Sequence, residues 1–142
     1  MAERMQGALV DGRPGVRAKL SAAWTAVMFL YVYGDIFDLY RARKIEQILA
    51  GRTPLGPTTQ TALLGFSVMM SIPALMVLLS LLLAPAVSRW ANIVLGLAYT
   101  AIIVATAWGS WPFIVYLAVL EGAATLYIAW TAWRWPRGVE AG

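Results

Sequence analysis

Apolar residues in this chain fall in four long runs, at about residues 20–40, 60–84, 90–108 and 112–133, separated by short polar or Pro/Gly-containing breaks. Each run approaches or exceeds the roughly 20 residues that carry a helix across the hydrocarbon core of a bilayer. The pattern predicts an all-α membrane protein of four transmembrane helices. Connections this short join sequential neighbours, so the helices are expected in an antiparallel up-down bundle forming one domain over residues 20–135. Residues 1–19 are polar and contain the breaker Pro14-Gly15, which predicts a flexible or surface-lying arm. Residues 136–142 read as a short tail. Between the first two runs, residues 41–51 set Ile45, Ile48 and Leu49 at helical spacing among basic residues. That spacing predicts a short amphipathic helix on the membrane surface, capped by Gly51, followed by a Pro/Gly turn over residues 52–57. Pro73 lies near the middle of the second run, where it kinks the helix and leaves a carbonyl for a neighbouring helix to satisfy. Residues 84–88 and 109–112 read as tight connections, with Pro112 in the first turn of the last helix.

Composition strengthens this picture and removes whole classes of chemistry. Hydrophobic residues make up 61% of the chain and the mean hydropathy is +0.70, far above soluble globular domains. The 142 residues contain no cysteine, which excludes disulfide exchange and thiolate metal sites within the chain. They contain no histidine either, which excludes imidazole zinc or haem ligation and a histidine relay. No phosphate-loop, dinucleotide or DNA-binding pattern occurs, so no cofactor, metal or nucleic-acid partner is predicted. The net charge of +4 lies mostly at segment ends and reads as membrane orientation. A cleaved signal peptide is the alternative for the first run, but no small-residue cleavage site follows it. With four spans both termini share a side, which carries Arg4, Arg13, Arg17, Lys19, Arg89, Arg134 and Arg137 against Arg41, Arg43, Lys44 and Arg52 opposite. The bias favours both termini in the cytoplasm, the basic stretch at 41–44 weighing against it. All seven tryptophans, Trp24 and the six that follow it, sit near segment ends as interfacial belts do.

Two carboxylates stand inside the apolar runs, Asp35 in the outer third of the first and Glu121 at the centre of the last. An ionised carboxylate in hydrocarbon costs about 3 kcal/mol on insertion scales, so such a residue marks a bundle interior, a pair or a pathway. At about 1.5 Å of rise per residue, Asp35 lies roughly 8 Å below the outer end and Tyr31 roughly 14 Å. Glu121 and Tyr99 also lie at about 14 Å, and Ser67 and Ser71 at about 9 and 15 Å. Tyr31, Asp35 and Asp38 share a stripe with Trp24 and Met28, while Arg89, Asn92, Gly96, Tyr99 and Thr106 form another. Ala118-x-x-x-Gly122 beside Glu121 has the small-residue spacing of close helix packing. The candidate ligand or ion site is therefore Glu121, Asp35, Tyr31, Tyr99, Ser67, Ser71 and Asn92. Each member has a structural reading beside it. Asp35 and Asp38 can sit at the interface, with Asp38 paired to Arg41 or Lys44. Glu121 can be glue hydrogen-bonded to Tyr99 or Tyr31, the serines and threonines can bond back to their own carbonyls, and Arg89 can snorkel to headgroups.

The residues Leu20-Ser21-Ala22 with Trp24, then Met28-Phe29-x-Tyr31-x-Tyr33-x-Asp35-Ile36, come in an order with a resemblance attached. They are followed by Ile72-Pro73-x-x-Met76-x-x-Leu79-Ser80, Arg89-Trp90-Ala91-Asn92-Ile93, Glu121 and Trp130-x-Ala132-Trp133-x-Trp135. Over residues 20–135 the chain resembles a family of small, uncharacterised four-helix bacterial membrane proteins, a domain of unknown function. The resemblance implies the four-span architecture, marks Asp35 and Glu121 as family features, and supplies no activity. Relatives tend to carry an acid immediately before Ile-Pro, where this chain has Ser71, a departure that weighs against strict ion coordination. The leading expectation is a homo-oligomer in the lipid bilayer that binds or transports a proton, a cation or a small cationic solute at Glu121 and Asp35. Small four-span multidrug exporters use such a carboxylate, an analogy of fold alone. The alternative is a non-catalytic accessory or scaffold protein whose buried acids are structural. An intramembrane enzyme ranks third, for want of a nucleophile or metal constellation.

Overall fold

A computed structural model of the chain describes residues 12–54 and 56–137. In chain order it contains α1 (Val16–Leu39), α2 (Lys44–Leu49), the two-residue strands β1 (Arg52–Thr53) and β2 (Gly56–Pro57), α3 (Gln60–Leu82), α4 (Pro85–Ala107) and α5 (Pro112–Trp133). The four long helices are each long and apolar enough to cross a membrane. Most of the predicted polar arm (1–11) and of the tail (138–142) lies outside the described residues.

Helix ends follow local chemistry more closely than the apolar runs do. The first helix starts at Val16, inside the segment read as an arm, because Gly15 is an extended N-cap whose carbonyl accepts from the Lys19 amide at 3.1 Å. Similarly, α4 starts at Pro85 rather than at 90. Proline at the first helical position has no amide hydrogen to leave unsatisfied and brings a helical φ with it. Residues 85–88, read as a connection, are therefore a full helical turn, and only Leu83 and Ala84 link α3 to α4. Thr59 caps α3 by accepting from the Ala62 amide at 3.1 Å. Gly51 follows α2 with φ +65°, the left-handed position in which a glycine closes a helix. The expected turn at 52–57 is a small antiparallel ladder pairing Arg52 with Pro57 and Thr53 with Gly56.

Packing is organised around α1 and α5. Helix α1 lies against both α3 and α5, α5 lies against α4, and α3 touches α4 only lightly. The α4–α5 crossing is closest at Gly96, where a Cβ would stand 2.9 Å from the Thr125 carbonyl oxygen and 3.2 Å from Ala129 Cβ. Thr100 and Thr125 hydroxyls meet across the same seam at 2.7 Å. By contrast Gly122, half of the small-residue spacing noted in the sequence, has nothing within 4 Å of such a Cβ and packs against no neighbour there.

A buried polar cluster joins three helices. Trp24 and Asn92 are both fully buried, and the indole Nε1–H donates to Asn92 Oδ1 at 2.7 Å. The Ser80 hydroxyl donates to the same oxygen at 3.2 Å, and Asn92 Nδ2 donates to the Ser88 carbonyl at 2.8 Å. Trp24 is therefore no member of an interfacial belt. Its ring is core, and its one polar atom needs a partner that α4 supplies. Other tryptophans, including Trp90, Trp108 and Trp133, are exposed as the belt reading expects. Arg17 donates to the Leu81 carbonyl at 2.7 Å, and Arg89 to those of Ala132 and Trp133 at 3.2 and 3.3 Å. These guanidiniums complement the carbonyl ends of α3 and α5, so Arg89 is folded onto the protein rather than extended towards headgroups.

The outer faces are oily. Leu64, Leu75, Val94, Val104, Val119 and Leu126 are among many large apolar side chains left open. In water this area would be an association or aggregation surface.

Candidate functional site

The helices diverge around a cavity of about 370 Å³ at the end where α1 runs into α2. Four of the seven candidate residues line it: Tyr31 and Asp35 from α1, Tyr99 from α4 and Glu121 from α5. Depth and spacing in the sequence carried these four, because i+4 on α1 and the shared level on α4 and α5 are properties of any straight helix.

Glu121 is the innermost acid. Its side chain is 9% exposed, and it makes no hydrogen bond or ion pair with another described residue. The reading of Glu121 as glue tied to Tyr31 or Tyr99 is therefore not what the structure holds. Gly34 explains how the carboxylate reaches α1: a Cβ there would stand 4.0 Å from Glu121 Oε1 and 3.5 Å from Leu117. Burial without a partner is costly for a carboxylate, and such a group calls for a proton or a counter-cation.

The hydroxyl of Tyr99 is committed elsewhere, and the reason lies in α3. Pro73 has no amide hydrogen to give to the carbonyl four residues before it, that of Met69. The Tyr99 hydroxyl donates to this Met69 oxygen. The ring of Tyr99 meets Trp24 edge-on, with centroids 6.0 Å apart and planes at 86°. The sequence requires some neighbour to answer Pro73; the structure identifies Tyr99. Its oxygen retains acceptor capacity towards the cavity.

Three candidates are placed elsewhere. Ser67 and Ser71 have the right depth but the wrong face: both are exposed, and their hydroxyls donate to the Leu63 and Ser67 carbonyls at 2.9 and 2.7 Å. A serine in an apolar helix can always satisfy itself on the preceding turn, so depth alone does not aim it inward. Asn92 is on the predicted stripe but nearer the opposite end, consumed by Trp24, Ser80 and Ser88.

The mouth contains residues outside the seven candidates. Arg41, Lys44 and Pro54 line the cavity, so the connection between α1 and α3 lies over its opening. Asp38 is held by both cations there: Arg41 Nε is 3.2 Å from Oδ1, and Lys44 Nζ contacts Oδ2. The Arg41 contact is an ion pair without hydrogen-bond alignment, which leaves Oδ1 buried with no hydrogen bond. This is the pairing foreseen for Asp38 as an interfacial residue. The sequence signal was available in the i+3 spacing of Asp38 and Arg41, whereas Lys44 reaches back only because Arg43 takes a left-handed turn at φ +64°.

Below this mouth the walls are mostly hydrocarbon, from Met69, Met70, Ile103, Ile114, Leu117 and Ala118. The arrangement is an apolar chamber with an unpaired acid at its floor, a second acid above it and a cation-clamped third acid at the rim. A site of this kind can hold a positive charge or a proton, with the hydrocarbon walls excluding competing water.

No curated protein and no solved structure matches the chain. The four apolar helices and the Glu121 chamber occupy a segment that is recognised as a unit, residues 12–141, and over that length the chain belongs to a family of unknown function (DUF6326).

Proposed function

We propose that this protein is a four-span membrane protein whose long helices form an antiparallel up-down bundle and whose cavity binds a cation or a proton at Glu121 and Asp35. The observation that carries the reading is Glu121: nine-tenths buried, unpaired and facing a chamber that a solute can enter. An acid retained in such a place without a protein partner is suited to a mobile one. Asp35 supplies a second negative charge nearer the mouth, so proton and cation can compete for one pair of acids. Alternation between the two is the basis of proton-coupled export, and that is the transport reading of this site. The oily outer faces support insertion in a bilayer, and the lysine and arginine bias supports a bacterial inner membrane with both termini cytoplasmic. The same faces offer area for a homo-oligomer.

Infrared difference spectroscopy on the detergent-purified protein tests this directly. Adding a cation should change a carboxyl band that disappears in Glu121→Gln, while the variant keeps its helix content and oligomeric size. A spectrum indifferent to every cation, with Gln tolerated and Glu121→Leu disruptive to assembly, would refute cation binding and leave a scaffold whose acid is structural.

A further inference from the structure

Lys44 is, with Arg41, one of two cations that the fold brings to the mouth of the chamber, and it is the more covered of the two. Its side chain is only 13% exposed, its ammonium contacts Asp38, and it lines the same cavity as Asp35 and Glu121. Most lysines keep their ammonium in water, because this small and strongly hydrated ion is costly to dehydrate. Here the side chain is largely covered and its charge ends on a carboxylate. The chain has only one other lysine, Lys19, far along α1.

The chamber's chemistry matches that occupant better than a bare metal ion. Calcium takes six to eight oxygens, and magnesium needs a near-ideal octahedron. Among the described residues no three acidic side chains converge closely enough to hold a metal. The walls instead present methionine, isoleucine and leucine side chains and the rings of Tyr31 and Tyr99, surfaces that suit an alkyl body and a cation over an aromatic face. The volume of about 370 Å³ lies at the small end of organic ligand sites.

From the docked Lys44 we propose that the ligand of the Glu121 chamber is an organic ammonium with an aliphatic body, and that Lys44 is its tethered competitor at the mouth. This rests on the cation-site reading above and names its ligand class. Lys44 occupies Asp38 when the chamber is empty, and an incoming ammonium passes it to reach Asp35 and Glu121. A competitor that closes the site nine-tenths of the time lowers apparent affinity about tenfold, so removing its charge restores that factor.

The test is calorimetric titration of the full-length protein in a non-ionic detergent with n-pentylammonium, its neutral analogue n-pentanol, and sodium, potassium and magnesium chlorides. Pentylammonium is expected to bind the wild type, to bind Lys44→Met about tenfold more tightly, and to lose binding in Glu121→Gln; pentanol and the inorganic ions are expected not to bind. A second measurement avoids any folding defect of Lys44→Met. In the wild type, acylation of Lys44 relative to Lys19, read by mass spectrometry, should rise severalfold when pentyltrimethylammonium, whose head cannot react with the label, fills the site. Inorganic cations binding in a Glu121-dependent way without pentylammonium would overturn the ligand class and leave the cation site standing. Binding of pentylammonium with unchanged Lys44 labelling and no gain in Lys44→Met would overturn the competitor. No binding by any cation to either protein would overturn both this inference and the reading beneath it.

Discussion

Tyr99→Phe isolates one bond, to a carbonyl thirty positions away, whose necessity comes from Pro73. The substitution keeps the aromatic ring, its edge-on contact with Trp24 and its 4% exposure, and deletes only the hydroxyl that serves the Met69 carbonyl. That carbonyl has no helical donor, because the residue four positions on is Pro73. An orphaned polar group of this kind costs about 1–3 kcal/mol in soluble proteins. Interhelical hydrogen bonds in a membrane average nearer 0.6 kcal/mol and reach about 1.7. Since Met69 lines the cavity and can recruit a water there, the lower scale governs, and Tyr99→Phe is expected to cost about 1 kcal/mol. Pro73→Ala returns an amide hydrogen to the Met69 oxygen, so in that background Tyr99→Phe should cost close to nothing. The assay is reversible unfolding in mixed detergent–SDS micelles, followed by far-ultraviolet circular dichroism, on the wild type, both single variants and the double variant. A coupling energy of about 0.6 kcal/mol or more is the signature. Strictly additive single effects would refute the link between Pro73 and Tyr99.

Four further outcomes are expected from the same unfolding assay and from ligand titration. Gly96→Ala should destabilise by about 1–3 kcal/mol, because its methyl would meet the Thr125 carbonyl at 2.9 Å and force α4 from α5. Gly122→Ala, with open space around it, should be neutral or raise stability by up to about 1 kcal/mol; equal losses at both positions would contradict the packing described. Asn92→Leu should cost about 2–3 kcal/mol by stranding the Trp24 indole and the Ser80 hydroxyl, and Trp24→Phe should recover part of that loss. Glu121→Gln should leave unfolding nearly unchanged while abolishing cation binding, since the carboxylate holds no protein partner to lose.

What the sequence makes legible here depends on whether a property belongs to one helix or to two. The four spans are visible because apolar length is a property of each segment alone. Tyr31 and Asp35 share a face for the same reason, and Glu121 and Tyr99 share their depth with Tyr31 because straight helices carry depth with residue number. Facing between helices is another matter. Nothing in the local sequence turns Ser67 and Ser71 outward or sends Asn92 to Trp24. Gly96 and Gly122 look alike as small residues, yet only one lies under a neighbouring backbone. Pro73 announces a missing donor without naming who replaces it. The mouth is legible in part: the pairing of Asp38 with Arg41 or Lys44 follows from local spacing, whereas their place at the opening of the chamber goes with the left-handed turn at Arg43.

Pro73 also divides α3 into halves that are unequally buried. Its buried residues, Pro73, Met76 and Ser80, all belong to the second half, where Ser21 donates to the Val77 carbonyl at 2.7 Å and Arg17 to that of Leu81. The half from 60 to 72 has the Tyr99 bond to Met69 as its tie to the neighbouring helix, and it borders the chamber. Cooperative opening follows buried contact, so amide hydrogens of residues 64–72 should exchange well ahead of those of 77–82. In the bilayer placement proposed above, that weakly held half-helix would give a solute a sideways route from the lipid into the chamber, beside the charged mouth.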